Sequence, residues 1–448
     1  MGVPAIPIVT QRFVELASTT SFKKGIPNLR VTYVPHPITD RPVELCNTYL
    51  NGKDPVSGNP VLAQIVEGLS KAVSPEDRKT GFLERESRPR VLKSDTPSNL
   101  EQMFHDKMWT DGLPIVLPTE ERVRAMLKGT SHDPNEIVGV MRPSPPHEAW
   151  EFTVEMVAIN AVMAGARPEY LPVILAIAST GVSSLFSSTS SFARMVVVNG
   201  PVRDAIGMNT SIGALGPFNH ANSTIGRAWT LISKNLGGSG TPGSTYLGSQ
   251  GNALNYNNLC FPETEEALPP GWNPLHVQKG FKKDESVVSI FSGWSLNDIA
   301  WYSPLPQHEV IKSWLSHFFS FGINRATLIL DPLVANDLVA NGFDSKKKFS
   351  EWLAQNSTTP GWLYWSTHEK ELEQAKQGVE PYASYLKLGM GDEVPVSRFV
   401  PMGPAPGAVA GSAPPDPIEV LVVGGSTNTF WSGGDFSYVA SASVDKWR

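Results

Sequence analysis

The chain has 448 residues and a net charge of −6, with 41% hydrophobic and 18% charged residues. That length exceeds one ordinary core, so two or three domains are expected. The acidic balance excludes a nucleic-acid binder, which would carry a basic patch; the longest basic run, Lys346-Lys347-Lys348, reads as the solvated face of a helix. Two cysteines, Cys46 and Cys260, exclude a disulfide framework. The most apolar run, Leu171 to Ala178, is too short to span a bilayer. The opening MGVPAIPIVT lacks the basic stretch of a signal peptide. The expectation is a soluble, cytoplasmic protein with neither membrane nor nucleic acid among its partners.

GVPAIPIV reads as a buried strand, and Thr10 followed by QRFVELAS as a capped helix. Leu29 to Ile38 is a second strand, giving the β-α-β grammar of a parallel sheet. Lys71 to Asn99 is polar and reads as a linker. From Leu100 a second domain begins, with a helix over Glu120 to Lys128 capped by Thr119. A long helix runs from about His147 to Ala164. Its apolar face is Trp150, Val154, Val157, Ala161 and Ala164, and Gly165 stops it. Arg194 to Asn199 is a strand ending at Gly200-Pro201, and Gly237 to Ser244 is a run of small residues.

A third part starts near Glu285, with strands VVSIF and ATLILDP, a helix HEVIKSWLSHFFSFG, a helix opened by Pro332 and another over Ser345 to Gln355. Pro401 to Pro415 is a Pro/Gly/Ala linker or mobile loop, and Ile418 to Gly425 a buried strand. The predicted class is therefore α/β, with Rossmann-like parallel-sheet modules at both ends of a mixed α/β middle domain. The expected divisions are a partial N-terminal module (1–70), a linker (71–99), a middle domain (100–284) and a C-terminal module (285–448).

Reactive residue types concentrate in Asn255 to Phe281, which holds Cys260, Glu263, Glu265, Glu266 and His276. Loops on a rigid scaffold aim such side chains at a site. Glu263 and Glu266 suit acid–base work, one carboxyl raising the other. Alternatively they join His276 around a divalent metal, although the spacing matches no standard signature. The plain alternative is solvated carboxylates, with Glu265 simply exposed, and a structural histidine; Cys260 fits a buried thiol as well as a nucleophile. Asn199 ends a strand, where open α/β sheets bind ligands. Asn222 and Arg227 place an amide and a guanidinium one turn apart, suited to an anionic substrate; against that, Asn222 or Ser223 is a helix cap and Arg227 a surface charge. Glu155 and Asn160, on or beside a buried helix, either pair in the core or face a site. His36 ends a strand between two prolines. No Ser-centred nucleophile elbow, Walker loop or HExxH is present.

Several stretches, in order along nearly the whole chain, resemble the UGSC family, named for a selenocysteine- or cysteine-Gly-Ser-Cys motif. They include GVPAIPIVTQRF, VPHPI, DGLPIVLPTEERVRAML, EFTVEMVAINAVMAGARPEYLPVILA, VVVNGPVRDAIGMN, ANSTIGRAW, NLGGSGTPG, CFPETEEALPPGWNPLHVQKGF, LILDPLVANDLVANGFDSKKKFSEWL and VLVVGG. The chain departs from the family in three places. The family's motif lies just upstream of the segment with which this chain opens. Ala166 stands where a cysteine is expected, and Ser426-Thr427-Asn428-Thr429 follows the final Gly-Gly.

The resemblance implies thiol- or selenol-linked chemistry on a small organic molecule, anionic or sulfur-containing. With its motif absent, the expectation is the large subunit of an enzyme whose first strand and thiol loop come from a smaller partner chain. The alternatives are a non-catalytic substrate-binding or scaffold subunit, a different start codon, or a member without thiol chemistry. The cofactor is left open, a divalent metal being one option.

Overall fold

β-Branched, apolar runs become the strands of this protein, because such side chains pack well on a pleated surface. The computed structural model describes residues 4–38, 41–80, 90–141, 151–185, 189–243, 245–299, 303–318, 325–396, 399 and 413–448. In chain order the strands are β1 (Ile8–Thr10), β2 (Thr32–Val34), β3 (Ile137–Val140), β4 (Glu151–Thr153), β5 (Ala193–Asn199), β6 (Leu259–Pro262) and β7 (Val287–Gly293). They continue with β8 (Leu296–Ile299), β9 (Ala326–Leu330), β10 (Thr359–Pro360), β11 (Glu393–Val394), β12 (Ile418–Val422), β13 (Trp431–Gly434) and β14 (Ser437–Ser443).

Two four-stranded sheets form the body, in the orders β14-β7-β5-β6 and β12-β9-β13-β8. Period-2 alternation gives each sheet two apolar faces. On β5, Val196 and Val198 join a core with the helices Val154–Met163, Leu171–Ser179 and His220–Asn235. Met195 and Val197 point the other way, into a core shared with Ile329 of β9 and Leu421 of β12. The opposite face of the second sheet, with Leu328, Leu330, Val420 and Val422, packs under the helices Gln307–His317, Pro332–Ala340 and Lys346–Asn356. The layers therefore run helix, sheet, sheet, helix.

The α/β expectation holds, but the sheets are mixed rather than parallel throughout. Among the described residues of the body, β5–β6 and β9–β12 are the parallel pairs; β7 and β14, like β13 and β8, run antiparallel to their neighbours. The cause is local. The chain steps from one sheet to the other twice, at Trp294-Ser295 and at Asp435-Phe436, too briefly for a helical crossover. Asp435 clasps the two steps, its Oδ1 accepting from Trp294 N (2.8 Å) and Ser295 N (2.9 Å). As a result β7 and β14, both beyond residue 284, complete the sheet of β5 and β6, so one sheet crosses the 284/285 division.

Smaller departures have equally local reasons. The helix expected from His147 starts at Val154, because Thr153 caps it by accepting from Met156 N and Glu151–Thr153 pairs with β3; His147 and Trp150 lie outside the described residues. The helix expected over Ser345 to Gln355 is Lys346–Asn356, with Ser345 as its cap. Most of Pro401 to Pro415, and residues 81–89 of the expected linker, also lie outside the described residues.

Residues 4–80 form a unit of their own: the parallel pair β1–β2 with the helices Val14–Lys23, Val43–Asn51 and Val61–Ser70. Twelve large apolar side chains of this unit are exposed, against two buried ones, Val34 and Val61. None of its residues belongs to the three core clusters of the body.

Candidate functional site

The parallel pairs β5–β6 and β9–β12 meet at their carboxyl ends. Thr264 N donates to Val422 O (2.8 Å), and Gly424 N donates to Thr264 Oγ1 (3.0 Å). Here a fully buried Glu263 ties together both sheets and two helices. Its Oε2 accepts from Asn199 Nδ2 (2.9 Å) and Leu275 N (2.7 Å), and Oε1 accepts from Val422 N (3.4 Å) and from Lys346 Nζ. Lys346 is only 2% exposed. An ionised pair with its remaining lone pairs satisfied is what buried charge requires.

Glu265 sits beside it. Its Oε1 accepts from Gly200 N (2.7 Å) and Asn199 Nδ2 (2.9 Å) and lies 3.3 Å from Arg203 Nε and 3.9 Å from His276 Nδ1. Arg203, itself buried, donates Nη1 to Glu263 O (2.7 Å) and to Glu266 Oε2 (3.0 Å). Glu266 is the exposed member, its side chain 54% accessible. Partial burial pushes its carboxyl upward, but hydrogen bonds from Thr210, its own amide and Arg203 outweigh that and hold it below the ordinary carboxylate range. His276 is fully buried, with Nε2 3.3 Å from Lys283 O; its Nδ1 and Asn199 Oδ1 have no hydrogen-bond partner among the described residues.

The loop from Gly207 to Asn219 covers this junction. Thr264 Oγ1 donates to Thr210 O (2.6 Å), and a Cβ on Gly425 would sit 2.5 Å from Ile212 Cγ1. A cavity of about 420 Å³ opens there, lined by Asn209, Ile212, Gly213, Gly216, Phe218 and Asn219 among others. Phe218 stands fully exposed at its rim with φ 80°, a conformation uncommon for a bulky residue.

The fold thus brings Asn199, Glu263, Glu266 and His276 together, but in different roles from those expected. Glu263 is spoken for by Lys346, which is no solvated lysine. Glu265, for which simple exposure was the plain alternative, accepts from Gly200 N and Asn199 and lies beside Arg203. Glu263 and Glu266 do not pair with each other: Glu263 is buried against Lys346, and the exposed Glu266 is held by Arg203. Among the described residues no group of three or more His, Cys, Asp or Glu is placed to hold a metal ion. Arg203 did not stand out in the sequence, where a basic residue shortly after a strand-ending Asn-Gly-Pro was the only cue, and Lys346 stood out only within a basic run read as solvated.

Cys260 lies on β6 against the helical core, and burial pushes its thiol up to about 12. It is a packing residue, close behind Gly226. In the native protein at about pH 8, iodoacetamide is expected to label the partly exposed Cys46 and spare Cys260 until the chain is unfolded. Peptide mass mapping checks this; labelling of native Cys260 as fast as Cys46 would contradict it.

The remaining candidates lie elsewhere. Arg227 is held by Asp111 in a bidentate pair (2.8 and 3.0 Å) and donates to Pro114 O (2.6 Å). Asn222 accepts from Asn209 N (3.2 Å) and donates to Ala214 O (3.1 Å), fastening the covering loop, while Asn219 caps its helix. Glu155 pairs with Arg90 (2.6 Å), and Asn160 pairs in the core with Asn235 (2.8 Å). His36 hydrogen-bonds Thr10 (3.1 Å) within the N-terminal unit.

No curated protein and no solved structure matches this chain. Residues 1–49 match the UGSC family model, so the resemblance to that family holds over the first strand, the first helix and the second strand.

Proposed function

We propose that this chain is the large subunit of a cytoplasmic enzyme whose N-terminal unit, one Rossmann-like half, is completed by a smaller polypeptide carrying the reactive thiol. The substrate is a small anionic or sulfur-containing molecule received in the cleft under Phe218. The observation that carries this reading is the N-terminal unit's ratio of twelve exposed large apolar side chains to two buried ones. A monomer rarely leaves so much of one small unit uncovered, and a two-stranded sheet is marginal alone. Burial raises the Cys260 thiol, which argues against Cys260 as the reactive thiol. Glu266 is the exposed carboxylate of the junction and the candidate acid–base group.

A non-catalytic substrate-binding or scaffold subunit is the second reading, favoured by the saturation of Glu263 in an internal ion pair. Protein purified from its source should contain a second, smaller chain in fixed ratio, and Glu266→Gln should abolish turnover while leaving that assembly intact. A lone 48.7 kDa species with full activity overturns the proposal; unchanged turnover in Glu266→Gln leaves the scaffold reading.

A further inference from the structure

The wall of the cleft under Phe218 has a chemistry that selects its occupant. None of the described residues lining it carries a charge. Its two amides are already engaged within the loop. Asn209 Oδ1 accepts from Ser211 N (3.0 Å) and its Nδ2 donates to Ile212 O (3.0 Å). Asn219 Oδ1 accepts from Asn222 N (3.0 Å) and its Nδ2 donates to Gly207 O (2.9 Å). The side chains left to meet a ligand are apolar: Ile212, which is 68% exposed, Pro217 and the ring of Phe218. Opposite the ring the wall is bare backbone at Gly213 and Gly216. A Cβ on Gly213 would find only Asn209 Nδ2 within 4 Å, at 3.9 Å, so the space over that residue is open to a flat group.

The core does not use Phe218. It is fully exposed and stands at φ 80°, where glycine or asparagine is the usual occupant. The next residue fixes it there, because Asn219 caps the helix His220–Asn235. A bulky ring kept at conformational cost outside the core is a feature of functional positions. The loop behind it is fastened by Thr264 to Thr210 O and by Asn222 to Asn209 and Ala214. The cleft is therefore preformed, and its volume of about 420 Å³ is that of a small-molecule site. From these features we infer that the cleft binds the planar aromatic ring of a small molecule, laid against Gly213 and covered by the ring of Phe218. An anionic group on that molecule projects out of the cleft, since no side chain in the wall neutralises it. This rests on the cleft reading above and adds to it the class of substrate. Two aromatic rings attract through offset or edge-to-face contact beyond the area they bury, which gives Phe218 a use that the fold does not.

Titration of the full-length protein with benzoate, followed by saturation-transfer NMR on the benzoate ring protons, tests this. Benzoate should bind saturably, cyclohexanecarboxylate several-fold more weakly, and acetate not detectably. Phe218→Gly should weaken benzoate binding about tenfold. Its thermal midpoint should stay level or rise, because glycine suits the left-handed backbone. Phe218→Trp should keep benzoate bound. Cyclohexanecarboxylate or acetate binding as well as benzoate, no binding of benzoate at all, or benzoate binding untouched by Phe218→Gly overturns the ring assignment. A thermal midpoint several degrees lower in Phe218→Gly also overturns it, by placing the ring in the packing of the chain. If Phe218→Gly converts a dimer into monomers, a second copy of the chain is the occupant and the small-molecule assignment falls. Absence of a smaller chain from the purified protein removes the two-chain reading and leaves the ring assignment standing.

Discussion

Lys346→Met is expected to destabilise the protein by about 3–5 kcal/mol, the cost of leaving one member of a buried ion pair without its partner. Glu263 is fully buried and Lys346 is 2% exposed, so no water stands ready to take over the charge. The loss falls on a carboxylate that also holds Asn199, Leu275 N and Val422 N, the points where both sheets and the helix Leu275–Gln278 meet. Methionine keeps most of the lysine's length, so the effect reads charge rather than cavity. Glu263→Gln in the same protein removes the stranded charge and should recover part of the stability, because the amide oxygen still accepts a hydrogen bond. Urea unfolding followed by tryptophan fluorescence measures both. A shift within about 0.5 kcal/mol, as for an ordinary surface lysine, would show that the pair is not buried in solution.

Lys346 also illustrates what a sequence can and cannot disclose. The helix over Ser345 to Gln355 was legible, because an apolar period is local. That the first of three consecutive lysines turns inward was not, since its partner lies 83 residues away. The same holds for Arg227, whose partner Asp111 is 116 residues distant and turns a presumed anion binder into a strut. Buried strands such as β5, β7 and β12 were plain from their β-branched runs. Their pairing was not, because two short sheet-to-sheet steps look like any other turn until Asp435 is seen clasping both. Asn199 was legible as a strand end and Glu263 and His276 from loop composition, but that the fold brings them together was not. Which carboxylate would remain accessible depended on the placement of Arg203, a tertiary fact.

Gly200→Ala tests the same junction from the backbone side and should cost about 2–5 kcal/mol, from a left-handed residue acquiring a Cβ and from displaced neighbours. Gly200 has φ 82°, and a Cβ there would lie 2.2 Å from Glu285 O and 2.8 Å from Ser286 Cα. Both are backbone atoms just before β7, so relief requires moving backbone rather than a side chain. Gly200 N also donates to Glu265 Oε1, so any shift loosens the carboxylate that Asn199 and Arg203 share. Gly207→Ala provides the comparison: its φ is 65°, but nothing lies within 4 Å of the added carbon. That variant should lose only about 1–2 kcal/mol. Thermal unfolding of the two proteins side by side separates conformational strain from crowding. Equal losses would mean that the β5–β7 corner yields easily and that Glu265 does not depend on a rigid backbone at residue 200.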